Sequence, residues 1–202
     1  SVGKNMSLHT KAPAPTAGSI ADLDMENIST RDIDRRKMAH DASHYLMIPE
    51  AVATPRTADD VASLLRRSRE LGVPATFRSG GTSLSGQSQS DSLLINTRQH
   101  FRGIEVLDGG ARVRVQPGAT VRAVNSRLAA HGRKLGPDPA SEIACTIGGV
   151  VANNSSGMAC GTEFNTYQTI ESMVLILASG TVIDTAAPDA ETKLRTLEPE
   201  LF

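Results

Sequence analysis

A loop of small residues between two short apolar segments is the strongest constraint on how this chain can fold. Residues 78–86 read Arg-Ser-Gly-Gly-Thr-Ser-Leu-Ser-Gly, after an apolar segment at 73–77 and before another at 93–95. The glycines let the backbone turn sharply and approach a ligand closely. Such a backbone can direct several N–H groups into one concavity that holds phosphate oxygens, and hydroxyls and an arginine fork add donors. The composition fits either a phosphate cradle or a mobile surface loop.

The residues before this loop are typical of a β-α-β unit. Thr57, followed by two aspartates, predicts the start of a helix, and Gly72 predicts its end. Residues 45–54 and 74–77 predict the flanking strands, although Pro49 weakens the first. Because ligands in such units bind at the carboxyl ends of strands, this context favours the phosphate cradle.

The rest of the chain predicts further strands and helices. Residues 104–116 are typical of a hairpin, Thr120 begins a second helix that ends at Gly132, and residues 173–177 predict a buried strand. Residues 136–157 are rich in Gly and Ala. This stretch indicates a wall that packs against a flat ligand, a helix that packs closely on a sheet, or both.

Composition excludes several classes of protein. The 202 residues carry 21 basic and 22 acidic side chains, so no nucleic-acid surface is indicated. No apolar run is long enough to span a membrane. Cys145 and Cys160 match no zinc or iron–sulfur spacing, so no metal site is predicted. The glycine spacing matches neither a Walker loop nor the dinucleotide fingerprint, and no nucleophile elbow or paired histidines occur, so no catalytic residue is predicted.

Four motifs taken together resemble one family. They are residues 78–86, 136–141, 146–157 and 178–181, in that order and spacing. This set resembles the FAD-binding module, of the PCMH or vanillyl-alcohol-oxidase type, of flavin-dependent D-2-hydroxyacid dehydrogenases. The similarity is greatest to the D-lactate, glycolate and D-2-hydroxyglutarate branch, and to its large members that carry an iron–sulfur domain.

The resemblance implies an α+β fold in which FAD extends between two α/β lobes. We expect the FAD-binding domain to occupy residues 29–185, with lobe one at about 41–98 and lobe two at about 99–185. We further expect residues 1–28 to be a flexible arm. Residues 186–202 would begin a segment that leads to a separate substrate domain.

The resemblance also implies a set of cofactor-binding residues. The adenine would meet the backbone of Ile183, although a core strand residue is the equal alternative there. The other positions would hold the pyrophosphate (Arg78, Ser79, Gly80, Gly81, Thr82 and Ser83), line the flavin and ribityl side (Pro137, Asp138, Ser141, Cys145, Thr146, Gly148 and Gly149) and continue that wall (Asn154 and Gly157).

Thr82 predicts that FAD is bound without a covalent link. Relatives that attach flavin through this loop carry His at this position, and threonine cannot form the same bond. We therefore expect a dissociable flavin.

The implied activity is that of a whole protein. The complete enzyme would oxidise a small D-2-hydroxy acid to the 2-oxo acid by hydride transfer to flavin N5, and this chain alone would be inactive. The substrate residues would lie in the substrate domain, and an iron–sulfur cluster would occur only in a part of the protein C-terminal to this chain. Electrons would pass to a quinone, a cytochrome or an iron–sulfur partner. A cytoplasmic location is expected, with peripheral attachment to the inner membrane as an alternative.

Two other functions remain open from the sequence. The chain can be a non-catalytic nucleotide-binding or interaction domain of the same fold. It can also belong to a flavin oxidase that acts on another alcohol or a sugar.

Overall fold

The computed structural model describes residues 18–23 and 25–202, which form an α+β structure as predicted. Most of the predicted arm, residues 1–17, lies outside the described residues. Ile20 and Leu23, which the sequence placed in the arm, pack in the core. The strands are β1 (Ile28–Ser29), β2 (Ala51–Ala53), β3 (Ala75–Arg78), β4 (Leu93–Asn96), β5 (Ile104–Leu107), β6 (Arg112–Val115), β7 (Val174–Ile176) and β8 (Val182–Asp184). The α-helices are α1 (Asp32–Arg36), α2 (Ala58–Leu71), α3 (Val121–Leu128), α4 (Ile147–Ala152), α5 (Thr166–Thr169) and α6 (Ala190–Leu197).

A four-stranded sheet of order β1-β2-β4-β3 forms the first lobe. Strands β2, β4 and β3 are parallel, and β1 is antiparallel to β2. Residues 93–95 are wholly buried in the central strand β4, because the sheet is covered on both faces there. The registers Val52 to Leu94 and Phe77 to Ile95 bring the carboxyl ends of the parallel strands to one edge.

Helix α2 connects β2 with β3 and has the ends that the sequence predicts. The Thr57 hydroxyl accepts the Asp60 N–H, and the Asp60 carboxylate accepts the Thr57 N–H in return. Gly72 closes the helix in a left-handed conformation, with φ of 69°. The buried side of the helix contributes Val61 and Leu64 to the core.

The second lobe is built on the β5–β6 hairpin. Ile104 pairs with Val115, and the turn at Asp108–Gly110 contains positive φ angles. Helix α3 begins at Thr120, whose hydroxyl accepts the Ala123 N–H, and buries Val124 against the hairpin. The predicted hairpin and second helix are therefore both present.

Two predicted strands differ in the structure. The strand expected at 45–54 shrinks to Ala51–Ala53, because Pro49 lacks an N–H for strand pairing. The strand expected to be buried at 173–177 forms β7, but Val174 is 60% exposed and Leu175 is 36% exposed. β7 pairs with β8 alone, so one of its edges has no strand partner among the described residues.

The β7–β8 hairpin lies against helix α2 of the first lobe. A Cβ on Gly180, in the hairpin turn, would stand only 2.7 Å from the carbonyl oxygen of Ala62 in α2. The last predicted strands therefore contact the parallel-sheet lobe, although the sequence assigned them to lobe two.

Candidate functional site

The loop after β3 presents a row of backbone donors. Gly81 has φ of +67°, which turns the chain back on itself. Within residues 18–23 and 25–202, the N–H groups of Gly81, Thr82 and Ser83 have no acceptor. The Ser83 hydroxyl is used inside the loop, where it accepts N–H groups from Ser85 and Gln87, each at 3.2 Å. The three consecutive N–H groups, rather than this hydroxyl, are the donors available to phosphate oxygens.

Gly80 joins this loop to the second glycine-rich stretch. Its N–H donates to the Thr146 hydroxyl at 3.0 Å, and the Thr146 residue is 1% exposed. A Cβ on Gly80 would lie 2.8 Å from the carbonyl oxygen of Ala144. Only glycine permits this approach, so the structure brings together two of the motifs that the sequence singled out.

Pro117 also forms hydrogen bonds with both of these stretches. Its carbonyl oxygen accepts the Ser79 hydroxyl at 3.2 Å and the Gly148 N–H at 2.9 Å. A Cβ on Gly148 would meet the Pro117 ring at 2.8 Å. No local pattern indicates this role, because the position of Pro117 in the sequence predicts only the end of β6.

The Arg78 guanidinium makes contacts within the protein, so it is not a free pair of hydrogen-bond donors. One of its terminal nitrogens donates to the Met38 carbonyl oxygen at 3.0 Å. The guanidinium also lies against Gly81, where a Cβ would be 2.8 Å from its second terminal nitrogen. Burial lowers the pKa of Arg78 and the nearby Arg98 adds to this, whereas Asp41 acts to raise it. These contacts show that Arg78 stiffens the loop, and a phosphate contact from it stays a prediction.

Helix α4 continues the wall beyond Thr146. Cys145 is 5% exposed, and burial raises the pKa of its thiol, so it behaves as a packing residue. Its N–H donates to the Ser141 carbonyl oxygen at 2.8 Å, which folds the 141–145 turn. Gly149 has open space in the direction of a Cβ, with no atom within 4 Å. The backbone at Gly149 is therefore accessible to a flat ligand.

The 137–160 region is held together by Asp138. Its two carboxylate oxygens accept the N–H groups of Ala159 at 3.1 Å and Cys160 at 3.2 Å. Burial acts to raise the pKa of Asp138, but these hydrogen bonds lower it below its usual range. Gly157 packs on Asp138 so closely that a Cβ there would overlap its carbonyl oxygen at 2.2 Å. Asp138 and Gly157 thus contact each other, beside the buried Pro137.

Two predicted residues have mainly structural contacts. Asn154 adopts a positive φ of 49°, and its side-chain oxygen accepts the Tyr167 N–H at 2.9 Å. Ile183 is 2% exposed and lies opposite Leu175 in the β7–β8 pair. The residue pairs two positions before and two positions after Ile183 are hydrogen-bonded across the hairpin. Because hydrogen-bonded and non-bonded pairs alternate in an antiparallel ladder, the N–H and carbonyl groups of Ile183 are also bonded across the hairpin. The structure therefore supports the core-strand interpretation of Ile183, and the adenine contact stays a prediction.

A polar cleft lies elsewhere on the first lobe. Its volume is about 270 Å³, and its lining includes Lys37, Asn96 and His100 near the carboxyl ends of β2 and β4. None of the residues predicted to bind a cofactor lines it. The candidate site is therefore the open surface formed by the loop after β3 and the 144–149 turn.

The described residues lack two kinds of structural feature. In the part of the chain that the structure describes, no helix is both long and apolar enough to cross a bilayer. Across the same residues, no three His, Cys, Asp or Glu side chains come together in a set that could hold a metal ion.

The chain is similar to parts of characterised enzymes. It is 27% identical over 176 residues to D-2-hydroxyglutarate dehydrogenase of Haemophilus influenzae, which covers 85% of this chain and 17% of that protein. It is 39% identical over 124 residues to glycolate oxidase subunit GlcD of Escherichia coli, which covers 58% of this chain and 24% of that protein. The chain thus spans about a fifth of the length of these relatives.

Solved structures have the same fold. The 6-hydroxy-D-nicotine oxidase of Arthrobacter nicotinovorans matches 89% of this chain and 38% of its own, with a TM-score of 0.71 at 22% identity. A chitooligosaccharide oxidase matches 86% of this chain and 37% of its own, with a TM-score of 0.70 at 18% identity. A family model described as an FAD binding domain matches residues 49–186, more than half of the chain. The predicted resemblance is therefore confirmed: the chain belongs to the family of PCMH-type FAD-binding domains.

Proposed function

We propose that the pyrophosphate of FAD binds to the N–H groups of Gly81, Thr82 and Ser83. These three donors are consecutive and have no acceptor within the described residues. Phosphate oxygens are well suited to such a row of backbone N–H groups. The accessible backbone at Gly149 is then suited to contact the flavin ring and the ribityl chain of the same FAD. This row of free donors, in a chain that belongs to an FAD-binding family, is the observation that carries the proposal.

Titration of the purified chain with FAD tests this proposal. We expect saturable quenching of flavin fluorescence and an increase in the melting temperature. The variant Gly80→Val places a side chain against the carbonyl oxygen of Ala144 and therefore displaces the loop that carries the three N–H donors. We expect it to lose FAD affinity. Saturating FAD that changes neither signal in the unmodified chain would contradict the proposal.

We further propose that the cofactor is bound without a covalent link. Thr82, which stands in the middle of the donor row, has a hydroxyl that cannot attach the flavin ring as a histidine does. Acid precipitation of the FAD-loaded protein should leave the yellow colour in the supernatant. Colour that stays with the washed precipitate, or a fluorescent band in a denaturing gel, would overturn this proposal.

For the whole protein we propose oxidation of a small D-2-hydroxy acid. The support is that proteins named as D-2-hydroxyglutarate dehydrogenase, glycolate oxidase subunit and D-lactate dehydrogenase are all similar to this chain. FAD supplies the two-electron acceptor for such an oxidation. This chain contributes the cradle that orients it, and a quinone, a cytochrome or an iron–sulfur partner would receive the electrons. Flavin bleaching in the complete protein, compared among D-lactate, glycolate and D-2-hydroxyglutarate under anaerobic conditions, tests this activity.

A further inference from the structure

The loop between β3 and β4 has no regular structure of its own and is held by a distant segment. The Ala42 N–H donates to the Gly81 carbonyl oxygen at 3.1 Å, and Arg78 reaches back to the Met38 carbonyl oxygen at 3.0 Å. Both contacts come from residues 38–42, and both act next to the donor row. The direction of the donor row therefore depends on where that segment is fixed.

Asp41 makes the main polar contacts between the segment and the loop. One carboxylate oxygen accepts the side-chain amide of Gln89 and the Ser43 N–H, each at 2.8 Å. The other carboxylate oxygen accepts the Ser88 hydroxyl at 2.9 Å. Two of these three donors belong to the loop, so a single carboxylate ties the far end of the loop to the segment that holds Gly81.

Gln89 extends this connection along the segment. The same amide nitrogen donates to the Tyr45 carbonyl oxygen at 3.0 Å, and the residue is only 6% exposed. Its side-chain oxygen is buried and has no hydrogen-bond partner among the described residues. A buried acceptor without a donor is unfavourable for folding. The unpartnered oxygen lowers stability, so we explain the presence of glutamine at position 89 by the hydrogen bonds of its nitrogen, which fix the position of the loop.

We propose that Asp41 and Gln89 are positioning residues for the FAD cradle, which keep the N–H groups of Gly81, Thr82 and Ser83 in one direction before the ligand arrives. This inference rests on the proposed pyrophosphate site. Neither residue needs to contact FAD, because both act through the loop. Fixing a binding loop in advance raises affinity by lowering the entropy lost on binding. Hydrogen bonds to an ionised carboxylate are well suited to this role, since they are roughly twice as strong as neutral ones.

The test compares three ligands in the Asp41→Asn variant. FAD carries flavin and diphosphate, ADP carries the diphosphate without flavin, and riboflavin carries flavin without phosphate. We expect the Kd values of FAD and ADP to rise by about tenfold, the size expected for the loss of about one charge-assisted hydrogen bond, while the Kd of riboflavin is unchanged. Asp91→Asn, in the same loop but exposed, is the matched control and should bind like the unmodified chain.

Three outcomes decide the inference. Unchanged FAD and ADP affinity in a folded Asp41→Asn variant overturns it. An equal loss for all three ligands also overturns it, because that result indicates general unfolding rather than a displaced donor row. If the unmodified chain binds no FAD, the proposed function itself fails, which is a distinct result.

Two further measurements do not depend on the stability of Asp41→Asn. Ser88→Ala removes one of the hydrogen bonds to the carboxylate and should raise the Kd of ADP by about two- to fivefold. Amide hydrogen exchange on the FAD-free chain reports the loop directly. We expect faster exchange at the Ala42 N–H, which donates to the Gly81 carbonyl oxygen, in Ser88→Ala, with residues 121–128 unchanged. Unchanged exchange at the Ala42 N–H would contradict the positioning role.

Discussion

A single hydroxyl, that of Thr146, joins the two glycine-rich stretches of the site. It accepts the Gly80 N–H at 3.0 Å and is almost fully buried. Thr146→Val keeps the shape of the side chain but leaves that N–H without its acceptor. We expect the free energy of unfolding to fall by about 1–3 kcal/mol, measured by urea denaturation. Thr146→Ser is the control, because it keeps the hydroxyl. Equal stability of the valine variant and the unmodified chain would show that the bond contributes nothing.

The carboxylate of Asp41 predicts how stability depends on pH. Burial acts to raise its pKa, but hydrogen bonds from Ser43, Gln89 and Ser88 lower it to about 2. Because this value is below the roughly 3.9 of an unfolded chain, the stabilisation is complete above pH about 4 and is lost as pH falls towards 2.

The difference in unfolding free energy between the unmodified chain and Asp41→Asn should therefore be constant from pH 7 to about 5 and shrink below about 4. Denaturant titrations at several pH values measure this difference. His40 and His44 lie close to Asp41 in the sequence, so the comparison with the variant, rather than the unmodified chain alone, isolates Asp41. A difference that is the same at pH 6 and pH 3 would show that the carboxylate is not stabilised by folding.

Residue roles were predictable where their signals are local. Thr57, Gly72 and Thr120 act within four residues of their own position, so capping chemistry alone places them. The orientation of Arg78 depends on Met38, 40 residues earlier, and no local pattern records that contact. The same is true of Pro117, whose carbonyl oxygen connects Ser79 with Gly148.

Among the elements, the β7–β8 hairpin is positioned by its turn. Gly180 has φ of +84°, and a Cβ there would meet the Ala62 carbonyl oxygen in α2 at 2.7 Å. Gly180→Ala should therefore lower the free energy of unfolding by about 1–2 kcal/mol for the backbone conformation and about 1–3 kcal/mol more for the steric conflict.

Gly109→Ala is the matched control for the hairpin. Gly109 has a similar φ of +62° but nothing within 4 Å of a Cβ. We expect it to show only the backbone part of the effect, about 1–2 kcal/mol, in the same urea titrations. Equal losses for the two variants would mean that the hairpin does not pack closely against α2.

Element prediction failed where burial depends on distant partners. An unbroken apolar run at 173–177 is typical of a strand covered on both faces, yet Val174 and Leu175 are exposed among the described residues. The apolar run predicts the strand itself but not whether other elements cover its two faces. In the 45–54 segment, alternating apolar residues suggested a strand, but the Tyr45 carbonyl bonds to Gln89 instead of to a neighbouring strand.

At the scale of the whole molecule, hydrogen bonds between backbone and side-chain groups join the two lobes. Gly80 bonds to Thr146, and Ser79 bonds to Pro117. The α+β class followed from the resemblance of four motifs to one family, which also implied that both glycine-rich stretches bind FAD. The contacts themselves did not follow, since they join residues 38 and 66 positions apart.

Because both lobes contribute to the proposed site, FAD should stabilise them together. A ligand at 100 times its Kd adds about 2.7 kcal/mol, which corresponds to an increase of about 5–10 °C in Tm for a chain of this size. Hydrogen exchange resolves the lobes separately, with β4 reporting the parallel sheet and α3 reporting the hairpin lobe. We expect FAD to slow exchange in both by similar factors, whereas riboflavin at the same concentration should do less. Protection gained in β4 alone would confine the site to the loop after β3 and exclude the 144–149 turn from it.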